Sequence, residues 1–161
     1  MSTNDSLLWQ VRHFVYNYFA DTTLPPSVDD AAAHFNISVS EAGELYKELH
    51  NRRAFFLDSE TLTIRMANPF SGIQSDFRVH ANGKTYYASC AWDMLGIPVI
   101  LQRDAIIEGV CTESNELVQL EIRNGNIAQG GVPAAEDGGE SSLLIHFPLP
   151  FARWYDDLTF T

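Results

Sequence analysis

The stretch YYASCAWDMLGIP, residues 86–98, places a cysteine three residues before an aspartate in an otherwise apolar run. If this segment is helical, the two side chains share a face, so Cys90 and Asp93 could share a proton or hold a soft cation between them. At a helix start the exposed amides favour a thiolate, whereas the charge of Asp93 opposes its ionisation. The alternative interpretation is packing, because a free cysteine is often a small buried hydrophobe.

The composition limits the classes of protein to consider. The chain has 161 residues, of which 45% are hydrophobic, which suits one compact unit or two small lobes. It has no run of about 20 apolar residues that would span a membrane, and its first residues lack the pattern of a signal peptide. We therefore expect a cytoplasmic protein. Only two cysteines are present, Cys90 and Cys111, which excludes a disulfide scaffold or a four-cysteine zinc site.

The first part of the chain reads as three helices followed by a hairpin. Residues 7–20 are apolar all round with helical spacing, which predicts a buried helix. Ser27 is positioned to cap a second helix, and Ser38, with Glu41 three residues later, has the capping-box signature of a third. The runs AFFL and LTIRM then predict a short hairpin. This order predicts a winged-helix-like lobe over residues 1–68.

Such a lobe raises the question of DNA binding. The formal net charge of −11 opposes association with nucleic acid or an anionic membrane. The third helix would read the groove, and we expect Glu41, Glu44 and Glu48 on its exposed side, where phosphate contact requires lysine or arginine. We therefore expect a packing module, with a DNA-binding regulator as the less favoured alternative.

The second part of the chain, residues 69–161, reads as β-rich. NPFSGIQ at 68–74 is interpreted as a linker, and Asn82-Gly83 predicts a hairpin turn. SCAWDMLGI predicts a short helix that Gly96 and Pro98 terminate. A second strand pair follows at AIIEGVC and LVQLEIRNG, then an acidic loop at 130–141 and a final strand at SLLIHFPLP. The predicted fold class is α+β, with the three-helix lobe packed on this β-rich core.

The core residues resemble those of a known enzyme family. The run from residue 84 to 120 is similar to the organomercurial (alkylmercury) lyases, whose signature is Tyr-Ala-x-Cys-Ala-x-Asp, a following proline and a further cysteine. The residues in register are Tyr87, Ala88, Cys90, Ala91, Asp93, Pro98 and Cys111. The family also has an N-terminal winged-helix-like lobe, so the resemblance covers nearly the whole chain.

The resemblance implies protonolysis of a carbon–mercury bond and thus a role in mercury resistance. Cys90 would be the first mercury ligand and Asp93 the acid that protonates the leaving carbon, since mercury prefers thiolate to oxygen or nitrogen ligands. Cys111 would correspond to a structural cysteine. Tyr87 and Trp92 are expected to help line an apolar substrate pocket. The implied partners are a small organomercurial and cellular thiols, with no resident cofactor.

The resemblance also shows a departure from the family. It places the second catalytic cysteine just past Thr161, so the sequence is interpreted as either a piece of a longer lyase or a shortened relative. With one thiolate in place of two, mercury binding with slow or no turnover is expected. The main alternative is therefore a non-catalytic mercury-binding or regulatory relative that retains the fold.

Overall fold

The computed structural model describes residues 3–111 and 113–131, together with 145, 147, 149, 150 and 153. These residues form four helices and two antiparallel sheets, which confirms the predicted α+β class. The chain divides into two compact units, Met1–Gln74 and Ser75–Thr161, six residues beyond the boundary interpreted from the sequence. No helix among the described residues is long and apolar enough to cross a membrane.

The first unit contains three helices and a small sheet. The helices are α1 (Thr3–Thr22), α2 (Val28–Phe35) and α3 (Val39–Asn51), and the strands are β1 (Phe56–Leu57), β2 (Ile64–Ala67) and β3 (Phe70–Ser71). The strand order is β1-β2-β3, so the predicted hairpin is present and a third strand joins it. The segment interpreted as a linker therefore contributes a strand. Gly72 permits the close approach, because a Cβ there would collide with the carbonyl oxygen of Ile64.

The helices of this unit begin and pack for local reasons. The side chains of Ser27 and Ser38 accept hydrogen bonds from the amides of Asp30 and Glu41, and the carboxylates of these two acids accept hydrogen bonds from the serine amides, so both helices start with a capping box. The sequence predicts that this first helix is buried all round, and for α1 that prediction is wrong. It buries one stripe, Leu8, Val11, Val15 and Phe19, and exposes 44% of Trp9.

The second unit is a five-stranded sheet with one helix. Its elements are β4 (Arg78–Ala81), β5 (Lys84–Tyr87), α4 (Ala91–Leu101), β6 (Ala105–Val110), β7 (Leu117–Arg123) and β8 (Asn126–Gly131). The strand order is β5-β4-β6-β7-β8. The predicted hairpin turn is present: Asn82 and Gly83 both have positive φ, as a two-residue turn of this kind requires. The first residues of the predicted acidic loop, Gly130 and Gly131, lie in β8, and its remainder lies outside the described residues.

Helix α4 differs from the short helix that the sequence predicts. It runs on through Gly96 and Pro98 and ends at Gln102, which adopts a left-handed conformation with φ 51°. Pro98 removes one hydrogen bond from the helix interior, but its ring is buried with Met94 and Ile97. Burial of this apolar face against β4 and β6 outweighs the lost hydrogen bond.

The predicted final strand, SLLIHFPLP, falls largely outside the described residues. Of its members the structure describes Ile145, Phe147, Leu149 and Pro150, and none of these four lies in a strand. Phe147 nevertheless contacts a residue of α4, as described below.

Candidate active site

Cys90 lies where the chain passes from strand β5 to helix α4. It is the N-cap residue of the helix, with extended backbone (φ −155°, ψ 174°), and its carbonyl accepts the first helical hydrogen bond from the Met94 amide at 3.2 Å. Two residues before Cys90, hydrogen bonds hold the connection in place: the Ala88 amide donates to the Phe77 carbonyl at 2.9 Å, and the Ser75 hydroxyl donates to the Ala88 carbonyl at 2.7 Å. The predicted position of Cys90 at a helix start is confirmed.

Asp93 occupies the third position of the helix and meets Cys90. The Cys90 thiol lies beside the Asp93 carboxyl, and the interaction of the two groups favours the charged form of the carboxyl and the neutral form of the thiol. Burial acts more strongly on the carboxyl and raises the pKa of Asp93 from 3.8 to about 6. Near neutral pH the thiol is protonated and the carboxyl is close to its own pKa, so the pair holds one or two protons.

The pKa of Cys90 is raised, contrary to the direction that the helix start alone favours. Burial contributes most and the negative charge of Asp93 contributes next, while the amides of Asp93 and Trp92 oppose both. The sulfur closes no capping hydrogen bond with these amides. The Cys90 side chain therefore does not cap the helix. The nearby N–H groups still lower the pKa of the thiol, because their electrostatic effect extends beyond hydrogen-bonding distance. The resting group is a thiol.

Helices α2 and α3, which serine side chains do cap, provide an internal comparison. Ser27 with Asp30 and Ser38 with Glu41 occupy the same helix positions as Cys90 with Asp93. In both serine pairs the hydrogen bonds from serine lower the pKa of the acid. Only in the cysteine pair is the acid buried enough for its pKa to rise. All three pairs have the same spacing in the sequence, and the burial of the acid is what distinguishes the cysteine pair from the two serine pairs.

Trp92, which is predicted to line the substrate pocket, lies between Cys90 and Asp93 in the sequence. Its side chain is 53% exposed. Its ring meets that of Phe147 edge to face, with centroids 5.9 Å apart and an interplanar angle of 67°. Sequence reasoning missed Phe147, because it lies 55 residues beyond Trp92 and no periodic pattern connects the two. The only available signal is a large apolar residue beside a proline.

Tyr87, the other predicted pocket residue, is the last residue of β5. It pairs with Arg78, whereas the buried Tyr86 pairs with Val79. Helix α4 covers the Val79 face, since Met94 lies over Gly109 on that side of the sheet. Strand alternation therefore puts Tyr87 on the opposite face. Its role as a pocket wall stays a prediction.

That opposite face carries a separate polar network around His80. Its ring nitrogens lie 3.0 Å from the Thr85 hydroxyl and 3.0 Å from the carboxylate of Glu108. Gln119 donates to the other oxygen of Glu108 at 3.0 Å. Cross-strand neighbours satisfy each of these groups, so the network is explained by the stability of the sheet.

Cys111 lies just beyond β6 and outside the buried core, only partly covered. Its amide donates to the Glu116 carbonyl at 2.9 Å, and its carbonyl accepts from the Asn115 amide at 2.8 Å. The Ser114 hydroxyl and then the amides of Ser114 and Glu113 lower the pKa of Cys111. The structural role that the resemblance implies for Cys111 stays a prediction. Such a role would not depend on burial of the side chain in the core.

The acidic exposed side of α3 is present as expected. Glu41, Glu44 and Glu48 are exposed, and two of the nearby cations are paired: Lys47 with Glu44 at 2.8 Å, and Arg52 with Glu48 at 2.7 Å. Cations held by neighbouring carboxylates are poorly placed to neutralise phosphate. The expectation that the protein does not bind nucleic acid stays a prediction, and these ion pairs are consistent with it.

Two clefts in the described part of the chain lie apart from Cys90 and Asp93. A cleft of about 750 Å³ lies along α1 and α2, and one of about 760 Å³ lies along the turns between strands of the second unit; neither is lined by Cys90 or Asp93. Across the described residues no group of three or more histidines, cysteines and acids is placed to hold a metal ion. Within the described part of the chain, the sulfur that a soft ion would bind at this site is that of Cys90.

Comparison with known proteins agrees with the resemblance seen in the sequence. The sequence profile of the alkylmercury lyase family, MerB, matches residues 70–136, which include Cys90, Asp93 and Cys111. No curated protein sequence matches the chain.

Among solved structures, the crystal structure of the mercury-bound form of MerB2 is similar in fold, with a TM-score of 0.63 and 19% identity. The similarity covers 81% of this chain and 66% of that chain, so the present chain spans slightly less than two thirds of MerB2. The chain therefore matches the alkylmercury lyase family over residues 70–136, and its fold is similar to that of MerB2.

Proposed function

We propose that the protein cleaves the carbon–mercury bond of organomercurials at Cys90 and Asp93. The observation that carries this proposal is the half-buried thiol–carboxyl pair at the start of α4, in which the pKa of Asp93 is raised to about 6. Such a carboxyl can take up and release a proton close to neutral pH, so it can act as a general acid once it is protonated. It lies against the softest ligand that a protein offers to mercury.

The first step is ligand exchange. The Cys90 thiol attacks R–Hg–X, forms the sulfur–mercury bond and releases X⁻. Its proton passes to the neighbouring Asp93 carboxylate. Proton transfer to this adjacent base offsets the raised pKa of Cys90, because no free thiolate has to accumulate. The products are Cys90–S–Hg–R and a protonated Asp93.

The second step breaks the carbon–mercury bond. An external thiolate, R′S⁻, adds to mercury and the Asp93 proton passes to the carbon, giving Cys90–S–Hg–SR′, the hydrocarbon RH and the Asp93 carboxylate. A further thiol, R′SH, then replaces Cys90 on mercury and returns a proton to the sulfur. The external thiol takes the place that the family's second cysteine would fill.

The test is incubation with methylmercury and excess glutathione, following methane release and protein-bound mercury together. Wild type is expected to do both. Cys90→Ser should lose both, while Cys111→Ser, the matched control, should retain both. Asp93→Asn should retain mercury and lose methane release, since an amide has no proton to deliver.

Stoichiometric mercury on Cys90 without methane would overturn the catalytic proposal and leave a mercury-binding relative. The raised pKa of Cys90 gives that second candidate its support, because a thiol that ionises reluctantly exchanges ligands slowly. Retention of mercury on Cys111 would overturn both candidates.

A further inference from the structure

The backbone that leads into Cys90 is tied to the segment just before β4. The Ser75 hydroxyl donates to the Ala88 carbonyl at 2.7 Å, and the Ala88 amide donates to the Phe77 carbonyl at 2.9 Å. The Phe77 amide in turn donates to the Ser75 hydroxyl oxygen at 3.3 Å. Both backbone polar groups of Ala88, two residues before Cys90, are therefore fixed. We call Ser75, Phe77 and Ala88 the clasp.

The same segment also packs beside the helix that follows Cys90. The Met94 amide donates to the Cys90 carbonyl at 3.2 Å, so Met94 belongs to the first turn of α4. A Cβ on Gly109 of β6 would lie 3.0 Å from the Met94 methyl group and 3.4 Å from a ring carbon of Phe77. Both side chains therefore lie over Gly109. The backbone of Phe77 holds the chain before Cys90, and its ring lies beside the helix after Cys90.

The Ser75 hydrogen bond adds to what strand pairing alone requires. The register of β4 and β5 ends with the pair Arg78 and Tyr87, and the bond from the Ala88 amide to Phe77 continues that ladder by one step. The Ala88 carbonyl has a different partner, the Ser75 side chain. Ala88 is fully buried, so its carbonyl requires such a partner. The bond also fixes the direction in which the chain leaves the strand toward Cys90.

We infer that Ser75 is a positioning residue, whose hydrogen bond to Ala88 keeps the Cys90 sulfur beside the Asp93 carboxyl. This inference rests on the proposed function, because proton transfer between the two groups requires them to stay close. Asp93 is held by the helix, whereas Cys90 is the N-cap with extended backbone, so the direction of its side chain depends on the chain that precedes the helix. Loss of the Ser75 hydroxyl lets that chain shift relative to α4 and separates the sulfur from the acid.

The first measurement is the pH profile of Cys90 alkylation by iodoacetamide, in the full chain carrying Cys111→Ser. Ser75→Ala removes the hydroxyl and Ser75→Thr retains it. Thr85→Val is the matched control, because it removes a hydroxyl that bonds His80 on the opposite face of the same sheet.

Separation from Asp93 and entry of water weaken the two main causes of the raised pKa of Cys90, which are burial and the charge of Asp93. Ser75→Ala should therefore be alkylated at least about threefold faster at pH 7.5 than its parent. Ser75→Thr and Thr85→Val should match the parent. If Ser75→Ala does not fold, Ser75→Gly takes its place, because it leaves room for a water to bond the Ala88 carbonyl without tying it to residue 75. The same increase is expected.

The second measurement is methane release from methylmercury with excess glutathione, with protein-bound mercury followed in parallel. Ser75→Ala should lose about tenfold in kcat and retain mercury binding, because the thiol remains and only its placement relative to the acid changes. An alkylation profile that loss of the hydroxyl leaves unchanged, or one that Thr85→Val changes equally, would overturn the inference, since the clasp would then only stabilise the sheet. If wild type releases no methane, the lyase proposal fails, and the alkylation profile still decides whether Ser75 positions Cys90.

Discussion

Asp93→Asn should make the protein more stable at alkaline pH. The folded-state pKa of Asp93 is raised from 3.8 to about 6, so ionisation of this carboxyl is harder in the folded than in the unfolded chain. Below about pH 3 both states hold the proton and there is no penalty. As the pH rises from about 4 to 6, the unfolded chain releases its proton first, and stability falls until both states are ionised.

The size of the penalty follows from the shift. About 2.2 pKa units at 1.36 kcal/mol each give about 3 kcal/mol above pH 7. Water reaches the half-buried carboxyl and reduces this figure, and a buried amide also costs some solvation, so we expect a net gain of about 2 kcal/mol for the asparagine variant. At pH 4 the gain should fall below about 1 kcal/mol.

Urea unfolding followed by circular dichroism at pH 4 and pH 8 would measure this difference. Each variant is compared with wild type at the same pH, so the remaining carboxyl groups cancel. Asp76→Asn is the matched control, because Asp76 is an exposed residue of the same unit and loses the same charge. We expect its effect to stay within about 0.5 kcal/mol at both pH values.

Two results would refute this reasoning. If the asparagine variant is no more stable than wild type at pH 8, the carboxyl is not destabilised by burial. If the gain is equal at pH 4 and pH 8, its cause is packing and not ionisation. Either result would also remove the reason for treating Asp93 as a proton donor near neutral pH.

Three further predictions concern the surroundings of the pair. Cys90→Ser should raise the free energy of unfolding by about 1 kcal/mol, because a serine oxygen can cap α4 as Ser27 caps α2. Urea unfolding measures this change, and an unchanged midpoint would contradict the prediction. At pH 7 iodoacetamide should modify Cys111 at least about threefold faster than Cys90, since their pKa values shift in opposite directions; single-cysteine variants and mass spectrometry give the rates, and equal rates would be inconsistent with these environments. Gly109→Ala should cost about 1 kcal/mol, because the new Cβ would lie 3.0 Å from the Met94 methyl group; full wild-type stability in urea would show that α4 can shift freely.

Much of the fold follows from local signals in the sequence. The serine caps of α2 and α3, the Asn82-Gly83 turn and the start of α4 at Cys90 each depend on a few neighbouring residues, and each is present. Helix α4 shows where local signals fail. Pro98 is a helix breaker by propensity, but burial of an apolar face decides the outcome, and burial depends on the sheet that the helix covers.

The candidate site divides in the same way. The spacing of Cys90 and Asp93 was enough to bring the two groups together, because three residues within one helical turn guarantee it. The direction of the thiol pKa was not predictable, since it depends on how far tertiary packing excludes water. Phe147 lay beyond sequence reasoning for a related reason: its partner is distant in the chain and joined only by the fold.

The three N-cap pairs of the chain show why the cysteine pair requires a functional explanation. Ser27 and Ser38 cap their helices and lower the pKa of the acids with which they pair, so both pairs stabilise the fold. At the start of α4 the cysteine forms no cap, and the buried acid destabilises the folded chain once it ionises. Serine with an exposed acid would serve the helix better on both counts. A thiol and a proton-holding carboxyl at this point therefore cost stability, and the cleavage of carbon–mercury bonds that we propose for this pair would account for that cost.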